Sequence, residues 1–382
     1  MYLTGILIIV ILLTGYGLLI LLYRKWYLEL PLFRIDASIE AANFFSVIIP
    51  ARNEETGIQQ CLASVLQQQY PSALFEVIVI NDHSTDQTEN IIREMQRQHA
   101  NLQLINLADH LQGKELNAYK KKAIEIAIGQ SKGNWIVTTD ADCHVSTDWL
   151  KAINAFIFEK EPVFVAAPVM FTNDHSFLSV FQLLDFISLQ GITAASVSAG
   201  YHSMCNGANI AYRKDAFYNV GQFTNIDQLA SGDDMLLMHK IKEKYPAQMG
   251  YLFCEEAIVT TPPMPDWKSF FNQRIRWASK ADKYRDKSIF WVLSLVYAVN
   301  MALLLLLLVS PFIENAFSFF LLLVIAKTLI ELSFMIPVAR FFKQAGSLVW
   351  FPLMQPLHIT YTVIAGWLGK FGTYQWKGRN VQ

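Results

Sequence analysis

The stretch that decides the fold is residues 75–86, FEVIVINDHSTD, where a nearly continuous apolar run ends in small polar and acidic residues. Phe75 to Ile80 is typical of a strand buried on both faces, as in a parallel sheet covered by helices. Asp82 follows the end of that strand, and Thr88 to His99 has helical spacing. The stretch therefore predicts a strand, turn and helix with a carboxylate at the sheet edge where open α/β sheets bind ligands.

The same alternation of short apolar runs and polar helical stretches continues on both sides of this unit. It predicts a mostly parallel α/β domain between about residues 44 and 265. The predicted strands are Phe44 to Ile49, Leu102 to Asn106, Trp135 to Thr139 and the extended Val163 to Met170; the predicted helices are Ile58 to Gln68, Ala118 to Gly129, Trp149 to Phe158 and Phe177 to Leu189.

Long uncharged runs flank this region. The chain has 382 residues, 53% of them hydrophobic and 16% charged, which is more apolar than an average soluble protein. Met1 to Tyr23 and Ile289 to Ile313 carry no charge and are long enough to cross a bilayer. No cleavage site of the Ala-x-Ala kind follows the first run, which favours a retained anchor over a signal peptide.

Two further runs contain polar residues. Phe317 to Ala339 is interrupted by Lys327 and Glu331, which are four residues apart and can pair on one helix face. Leu348 to Gly369 contains Pro352 and Pro356, so a kinked span and a segment lying at the interface both remain open. We predict a C-terminal membrane region over 289–371 with two or three spans.

Basic residues set the predicted orientation. Arg24, Lys25 and Arg34 follow the first span, and Arg340 and Lys343 follow the third, so the positive-inside rule puts the middle region in the cytoplasm. The four cysteines lack zinc or redox spacing, and the net charge of -1 gives no reason to expect a nucleic-acid partner. The predicted segments are an anchor (1–24), a cytoplasmic domain (44–265), an interfacial amphipathic helix (266–288), the membrane region (289–371) and a basic tail (372–382).

Acidic residues recur at three separated positions. Asp140 and Asp142 follow the strand that ends at Thr139, and hard oxygen ligands of this kind suit Mg²⁺ or Mn²⁺ on a diphosphate. Asp82 can accept hydrogen bonds from a base or ribose, or it can be a turn residue before a helix. Asp234 opens a helical run, so it is either an N-cap or a general base for an acceptor hydroxyl.

An aromatic and basic segment, Trp267 to Tyr284, precedes the second long apolar run. Gln273, Arg276 and Trp277 have helical spacing within it. An amphipathic helix on the membrane surface accounts for the pattern, and so does a site in which arginine and glutamine meet a diphosphate while the indole faces a sugar. Both interpretations can hold together.

Taken together, these residues resemble the family 2 glycosyltransferases, in particular the membrane-bound branch that includes cellulose, hyaluronan and poly-N-acetylglucosamine synthases and ceramide glucosyltransferase. The resemblance covers roughly Phe44 to Trp277, and the Gln-x-x-Arg-Trp motif at 273–277 is its most specific part. It implies a nucleotide-sugar transferase fold of type A, with a mostly parallel central sheet flanked by transmembrane helices.

The resemblance also implies roles for individual residues. Lys122 is favoured for the lysine near the nucleotide, and Gly113-Lys114 is a competing match. The implied donor-binding residues are Pro50, Arg52, Glu54, Asp82, Lys122, Asp140, Gln273 and Arg276; the acceptor-binding residues are Asn206, Gly207, Asn209 and Trp277; the metal ligands are Asp142 with Asp140; and the catalytic base is Asp234.

The sequence departs from the family pattern in two places. The family loop usually carries Asp-Asp-Gly-Ser, whereas this chain has Asn81-Asp82-His83-Ser84. The base motif usually carries Glu-Asp, and here Asp233 replaces the glutamate. His83 is either tolerated in the loop or alters the nucleotide pocket.

The resemblance implies an inverting transferase, dependent on Mg²⁺ or Mn²⁺, that moves a sugar from a UDP-sugar to a hydroxyl. The paucity of spans after the catalytic region favours a lipid or lipid-linked acceptor at the cytoplasmic membrane face. A processive polysaccharide synthase acting on a growing glycan is the alternative. A catalytically silent nucleotide-binding membrane protein is a third interpretation.

Overall fold

The protein divides into two compact units in a computed structural model that describes residues 2–111, 116–202, 204–229, 232–280, 286–371, 374–376 and 379–381. The sheet unit comprises Pro31–Thr172 and Ser203–Pro262. The helical unit comprises Met1–Leu30, Asn173–His202 and Pro263–Gln382. The competing lysine match at Gly113-Lys114 lies outside the described residues.

The sheet unit is built on a seven-stranded sheet with the order β3-β2-β1-β4-β7-β5-β8. Strand β7 runs antiparallel to β4 and β5, whereas the other neighbouring strands pair in parallel. The predicted mostly parallel α/β fold is confirmed. The strands of this unit are β1 (Phe45–Ala51), β2 (Phe75–Asn81), β3 (Leu102–Asn106), β4 (Trp135–Thr138), β5 (Phe164–Ala166), β6 (Val169–Phe171), β7 (Ile210–Arg213), β8 (Met249–Tyr251) and β9 (Val259–Thr261), the last pairing with β6.

The centre of the sheet brings three strand ends together. Every residue of β2 is buried, which is why its sequence is apolar without alternation. Strand β1 pairs with β2 up to Ala51 opposite Asn81, and with β4 up to Ile48 opposite Thr138. Since these strands are parallel, the residues that follow them emerge at one edge of the sheet.

Helices cover this sheet at the positions that periodicity predicts, with ends that differ by at most a few residues. The helix that follows Asp234 is also present. The helices of the sheet unit are α2 (Ile58–Leu66), α3 (Thr88–Gln98), α4 (Leu107–Leu111), α5 (Tyr119–Gln130), α6 (Trp149–Lys160), α8 (Lys214–Asn219) and α9 (Met235–Lys244).

The helical unit contains the predicted spans and one more helix of the same kind. Five helices in the described residues are long and apolar enough to cross a membrane. Phe177–Ser198 is among them, although the sequence predicted only a helix to Leu189 there. The elements of this unit are α1 (Tyr2–Glu29), α7 (Phe177–Ser198), α10 (Trp267–Ala278), α11 (Lys287–Val309), α12 (Ala316–Phe341), α13 (Phe351–Phe371), β10 (Tyr374–Trp376) and β11 (Arg379–Val381).

A buried polar network joins three of these helices. Lys327 and Glu331 form the predicted ion pair, with Nζ and Oε1 2.7 Å apart. Gln355 of α13 accepts from Lys327 at 2.8 Å and donates to Glu331 at 2.6 Å, and Tyr16 of α1 donates to Glu331. The run Leu348 to Gly369, for which a kinked span and an interfacial segment were both open, contains one continuous helix, Phe351–Phe371, that passes through Pro356.

Candidate functional site

Asp82 lies at the carboxyl end of β2 and is held by its neighbours. Asp82 is only 3% exposed, and its backbone N–H donates to Ala51 O at 2.8 Å. Arg52 donates from Nη1 to Asp82 O at 2.9 Å, and His83 Nδ1 lies 2.9 Å from Asp82 Oδ1. A carboxylate only accepts, so the His83 nitrogen that faces it carries the proton.

Two loops at this edge are joined by hydrogen bonds. Asn53 donates from its backbone to Ser84 Oγ at 3.0 Å and accepts from Thr85 N at 2.8 Å. The N–H of Glu54 donates to Thr88 Oγ1 at 2.8 Å, and its carbonyl accepts from Ile58 at the start of α2. The predicted residues Pro50, Arg52 and Glu54 therefore border the loop that carries Asp82.

The Asp-Ala-Asp motif follows β4 as predicted. Asp140 Oδ1 accepts from Lys120 Nζ at 2.9 Å, and the Asp140 side chain is 40% exposed. Asp142 is half-buried, and Thr261 Oγ1 lies 3.4 Å from its Oδ1. A Cβ on Gly57 would lie 3.2 Å from the Asp142 Cα, so glycine allows the start of α2 to approach the motif closely.

Lys120 connects the motif to the acidic pair before α9. Its Nζ lies 3.3 Å from Asp233 Oδ2 in addition to its contact with Asp140. Burial alone would lower the pKa of Lys120, but the carboxylates of Asp140, Asp233 and Asp234 outweigh it and raise the pKa above the ordinary value. This lysine is charged across the physiological pH range and balances an otherwise repulsive group of carboxylates.

The sequence favoured Lys122 rather than Lys120 for the donor site. Lys122 Nζ lies 2.9 Å from Glu125 Oε2, and its side chain is 43% exposed. Lys121 is buried and donates to the carbonyls of Ile226 and Leu229. Three consecutive lysines thus face three different surroundings, and Lys120 contacts the acidic residues.

Asp234 caps α9 and is fixed from two sides. Its Oδ1 accepts from Met235 N at 2.7 Å, and its Oδ2 accepts from Gly207 N at 2.9 Å. The N-cap role is therefore observed, and the second oxygen is held in place by the loop that carries Gly207; the role of general base stays a prediction.

The loop 205–209 brings this contact to the end of β4. Gly207 O accepts from Thr138 Oγ1 at 2.7 Å, and Asn206 Oδ1 accepts from Ala208 N at 3.0 Å. Asn209 is 1% exposed and bonds to Pro168 O, Ala257 O and Trp149 Nε1. Its side chain therefore supports the loop from inside, and Asn206 and Gly207 form the part nearer to Asp234.

One further contact closes the group. The rings of His83 and Tyr119 meet edge to face, with centroids 5.7 Å apart. Tyr119 precedes Lys120 at the start of α5. A continuous series of contacts therefore runs from Asp82 through this ring pair and Lys120 to Asp140, Asp233 and Asp234.

The remaining predicted residues belong to the helical unit. Gln273, Arg276 and Trp277 lie on α10, which begins after the N-cap Asp266. Arg274, which the sequence did not single out, donates from Nη1 to Gln273 Oε1 at 2.6 Å. Its guanidinium lies 4.3 Å from the centroid of the Trp277 ring.

The donor set suits a hard divalent cation bound together with a ligand. Asp140 and Asp142 offer carboxylate oxygens at one sheet edge, and Mg²⁺ is commonly held by one or two carboxylates plus substrate phosphates. Among the residues that the structure describes, no group of three His, Cys, Asp or Glu side chains could hold an ion alone. The residues fit a metal whose coordination is completed by a diphosphate and water.

A mostly parallel α/β sheet with carboxylates after its strands, together with a Gln-x-x-Arg-Trp helix, agrees with the class of glycosyltransferases that the sequence resembles. Residues 135–369 match the sequence profile of glycosyl transferase family group 2, and residues 46–221 match that of glycosyl transferase family 2. The chain belongs to this family. The type A fold and the enzyme class implied by the resemblance are confirmed.

Individual relatives agree with this assignment. Glycosyltransferase AglE of Haloferax volcanii is 30% identical over 58% of this chain and 68% of its own length. Poly-beta-1,6-N-acetyl-D-glucosamine synthase of Staphylococcus epidermidis is 28% identical over 61% of this chain and 53% of its own, so the chain spans about half of that relative. The mannosyltransferase PcManGT of Pyrobaculum calidifontis, solved with GDP-Man and Mn²⁺, shares the fold at 17% identity with a TM-score of 0.58, covering 96% of this chain and 98% of that one.

Proposed function

We propose that this protein transfers a sugar, with inversion, from a UDP-sugar to a hydroxyl of a lipid or lipid-linked acceptor at the cytoplasmic face of a membrane. The observation that carries the proposal is the series of contacts from Asp82 to Asp234 at one sheet edge. Lys120 joins Asp140 and Asp233 within it. Nucleotide, diphosphate and acceptor hydroxyl each have a candidate partner in this series.

Asp82 is the proposed partner of the uridine part of the donor. Its carboxylate is buried and oriented by His83 and Arg52, so little motion is lost when it accepts a hydrogen bond from a base or ribose. Pro50, Arg52 and Glu54 border the loop that carries Asp82 and are proposed to contact the same nucleotide. The mannosyltransferase PcManGT was solved with a guanosine donor, so GDP-mannose is the matched comparison for UDP-sugars.

Asp142 with Asp140 is the proposed site for Mg²⁺ or Mn²⁺, which supplies positive charge to a departing diphosphate when bound. Lys120 adds a fixed positive charge beside Asp140. By the family resemblance, Gln273 and Arg276 are proposed as diphosphate contacts, because a guanidinium matches phosphate geometry. Lys122 is retained only as the alternative to Lys120.

Asp234 is the proposed general base. Among the residues that the structure describes, the backbone N–H groups of Gly207 and Met235 each donate to one of its oxygens, and each carboxylate oxygen has a second lone pair that can accept from an acceptor hydroxyl. The hydroxyl oxygen attacks the anomeric carbon as its proton passes to Asp234 and the bond to UDP breaks; this direct displacement gives a β-linked product from an α-linked donor. Asn206, Gly207 and Trp277 are the proposed acceptor contacts, and Asn209 holds the loop that carries Asn206 and Gly207.

The decisive experiment incubates membranes containing the protein with a panel of labelled UDP-sugars and with GDP-mannose, and then extracts lipids. We expect transfer from a UDP-sugar to the lipid fraction, stimulated by Mg²⁺ or Mn²⁺ and abolished in Asp234→Asn, while UDP binding survives. Asp227→Asn is the matched control because Asp227 is exposed. Transfer from GDP-mannose alone, or loss of UDP affinity in Asp234→Asn, would contradict the donor or the base assignment respectively.

The second candidate function is a processive polysaccharide synthase. It is supported by the relative named poly-beta-1,6-N-acetyl-D-glucosamine synthase. Product length separates the two candidates, since a lipid carrying one added sugar excludes processive synthesis. A long labelled polymer that stays in the aqueous phase during lipid extraction would favour the synthase.

A further inference from the structure

The Gln-x-x-Arg-Trp helix is anchored by a buried charge beside a buried aromatic residue. Along α10 the buried residues are Phe270 and Arg274, which are one helical turn apart. Arg274 is only 4% exposed. A buried guanidinium is costly unless it is paired and fully hydrogen-bonded, so its partners indicate what it is for.

The partners of Arg274 fix the orientation of its guanidinium through hydrogen bonds. Arg274 donates from Nε and Nη2 to Asp185 Oδ2 on α7, at 2.9 and 2.6 Å. The other Asp185 oxygen accepts from Tyr361 OH on α13. The guanidinium is therefore fixed by a carboxylate that is itself fixed.

The remaining nitrogen of this guanidinium, Nη1, contacts Gln273, and its planar faces contact two aromatic rings, Phe270 and Trp277. Its Nη1 donates to Gln273 Oε1 at 2.6 Å. Its face lies 4.7 Å from the centroid of the Phe270 ring and 4.3 Å from that of Trp277. The planar guanidinium makes these three contacts together with its two bonds to Asp185, a combination that the single ammonium of a lysine cannot reproduce.

We propose that Arg274, held by Asp185, is a positioning residue for sugar transfer: it fixes the ring of Trp277 and makes Gln273 present its NH₂ group to the substrate. Guanidinium offers donors only, so the Gln273 atom facing it is the carbonyl oxygen and the amide donors point elsewhere. Gln273 therefore recognises an acceptor atom, such as a phosphate or hydroxyl oxygen. This inference rests on the proposed function for its substrate.

Replacing both Asp185 and Arg274 tests their effect on catalysis without the loss of stability that a single unpaired buried charge would cause. A single change leaves one uncompensated buried charge, whereas replacing a buried ion pair by apolar residues is often neutral for stability. In Asp185→Leu/Arg274→Met we expect a melting temperature within a few degrees of the wild type and, because the groups that meet the substrate are misplaced, a kcat lowered about 10- to 100-fold. Arg274→Lys keeps the charge, and we expect it to fold and to show a similar loss of kcat.

The matched control is Lys327→Met/Glu331→Gln, which removes the other buried ion pair of the helical unit. Glutamine at 331 retains an acceptor for Tyr16 and Gln355, so we expect wild-type kcat. Equal losses of kcat in both double variants would mean that any disturbance of the helical unit impairs transfer, and this outcome overturns the positioning role.

A readout without activity keeps this inference separate from the proposed function. The protein is labelled with 5-fluorotryptophan, and the ¹⁹F signal of Trp277 among the nine tryptophans is identified by its absence in Trp277→Phe. We expect one sharp Trp277 signal in the wild type and a broadened or split one in Asp185→Leu/Arg274→Met and in Arg274→Lys. An unchanged signal overturns the inference whether or not UDP-sugars are donors; absence of transfer by the wild type overturns only the proposed function.

Discussion

His83 Nδ1 lies 2.9 Å from Asp82 Oδ1, while the His83 backbone stands in the left-handed region at φ 55°. That conformation explains why the family pattern has a glycine here, because only glycine adopts it without steric cost. The histidine backbone is strained in this conformation, but its side chain contacts the Asp82 carboxylate, which we propose for nucleotide binding. It also packs its ring against Tyr119.

His83→Gly separates these two effects. Removing the strain offsets the loss of side-chain contacts, so we expect a melting temperature close to that of the wild type. Loss of the Nδ1 donor removes one of the contacts that orient the Asp82 carboxylate, and we expect UDP to bind about two- to tenfold more weakly, as for a hydrogen bond of roughly 0.5–1.5 kcal/mol. Calorimetric titration of the detergent-solubilised protein measures this. His83→Asn is the control, because asparagine tolerates the conformation and can donate; equal UDP affinity in all three proteins would exclude a role for the bond.

The other departure, Asn81, is explained by Glu89. The Asn81 amide donates to Glu89 Oε2 at 3.1 Å and to Asn106 Oδ1 at 3.0 Å, and its oxygen accepts from Ser84 N. An aspartate here would face the carboxylate of Glu89. The amide therefore suits a chain with an acidic residue at position 89.

Asn81→Asp is expected to lower the free energy of unfolding by about 1–3 kcal/mol at pH 7, since a buried donor is replaced by a like charge. The pKa of Glu89 lies below its usual value, mainly because Arg93 donates to it. Its stabilising contribution is therefore present above the unfolded pKa and is lost as the pH falls through the folded pKa. In Asn81→Asp the penalty should shrink as the pH falls towards 4, and Asn81→Asp/Glu89→Gln should recover stability. A penalty independent of pH in thermal unfolding would contradict charge repulsion.

The sequence predicted the parts of the site that depend on local pattern. Asp82, Asp140 and Asp142 follow apolar strands, and Asp234 opens a helix, so each was found from periodicity and its position at an element end. Lys120 was missed because successive helical residues point about 100° apart, and a run of three lysines does not reveal which one faces the site.

Arg274 was missed for a different reason. A charged residue between polar motif residues carries no sign of burial, and its partner Asp185 is distant in the sequence. Phe177–Ser198 was not recognised as a possible span because buried polar residues, including Asp185 and Gln190, lower its mean hydropathy to 1.4. In both cases a buried polar residue pairs with a residue far away in the sequence, and a single sequence does not reveal such pairs.

Cys205 is expected to report the charge of Asp234. Burial, followed by the negative charges of Asp234 and Asp233, raises the pKa of this thiol well above its ordinary value. Alkylation by N-ethylmaleimide at pH 8 should therefore be slow in the wild type and several-fold faster in Asp234→Asn, because thiolate is the reactive form. Peptide mass spectrometry resolves Cys205 from the three other cysteines, which are buried. Asp227→Asn should not change the rate; an equal acceleration in that variant would show that the effect is not local to the pair.

Lys120→Met compared with Lys122→Met decides which lysine serves the donor. Lys120 lies 2.9 Å from Asp140 and 3.3 Å from Asp233, so its loss removes the ammonium group that contacts both carboxylates. We expect kcat/KM for the donor to fall on the order of 100-fold, equivalent to about 2.7 kcal/mol, with part of the loss recovered in Lys120→Met/Asp233→Asn. Lys122 contacts Glu125 on the same helix, and Lys122→Met should retain activity within about twofold, since such surface pairs contribute little. A large loss in Lys122→Met with normal activity in Lys120→Met would instead favour the lysine indicated by the family motif.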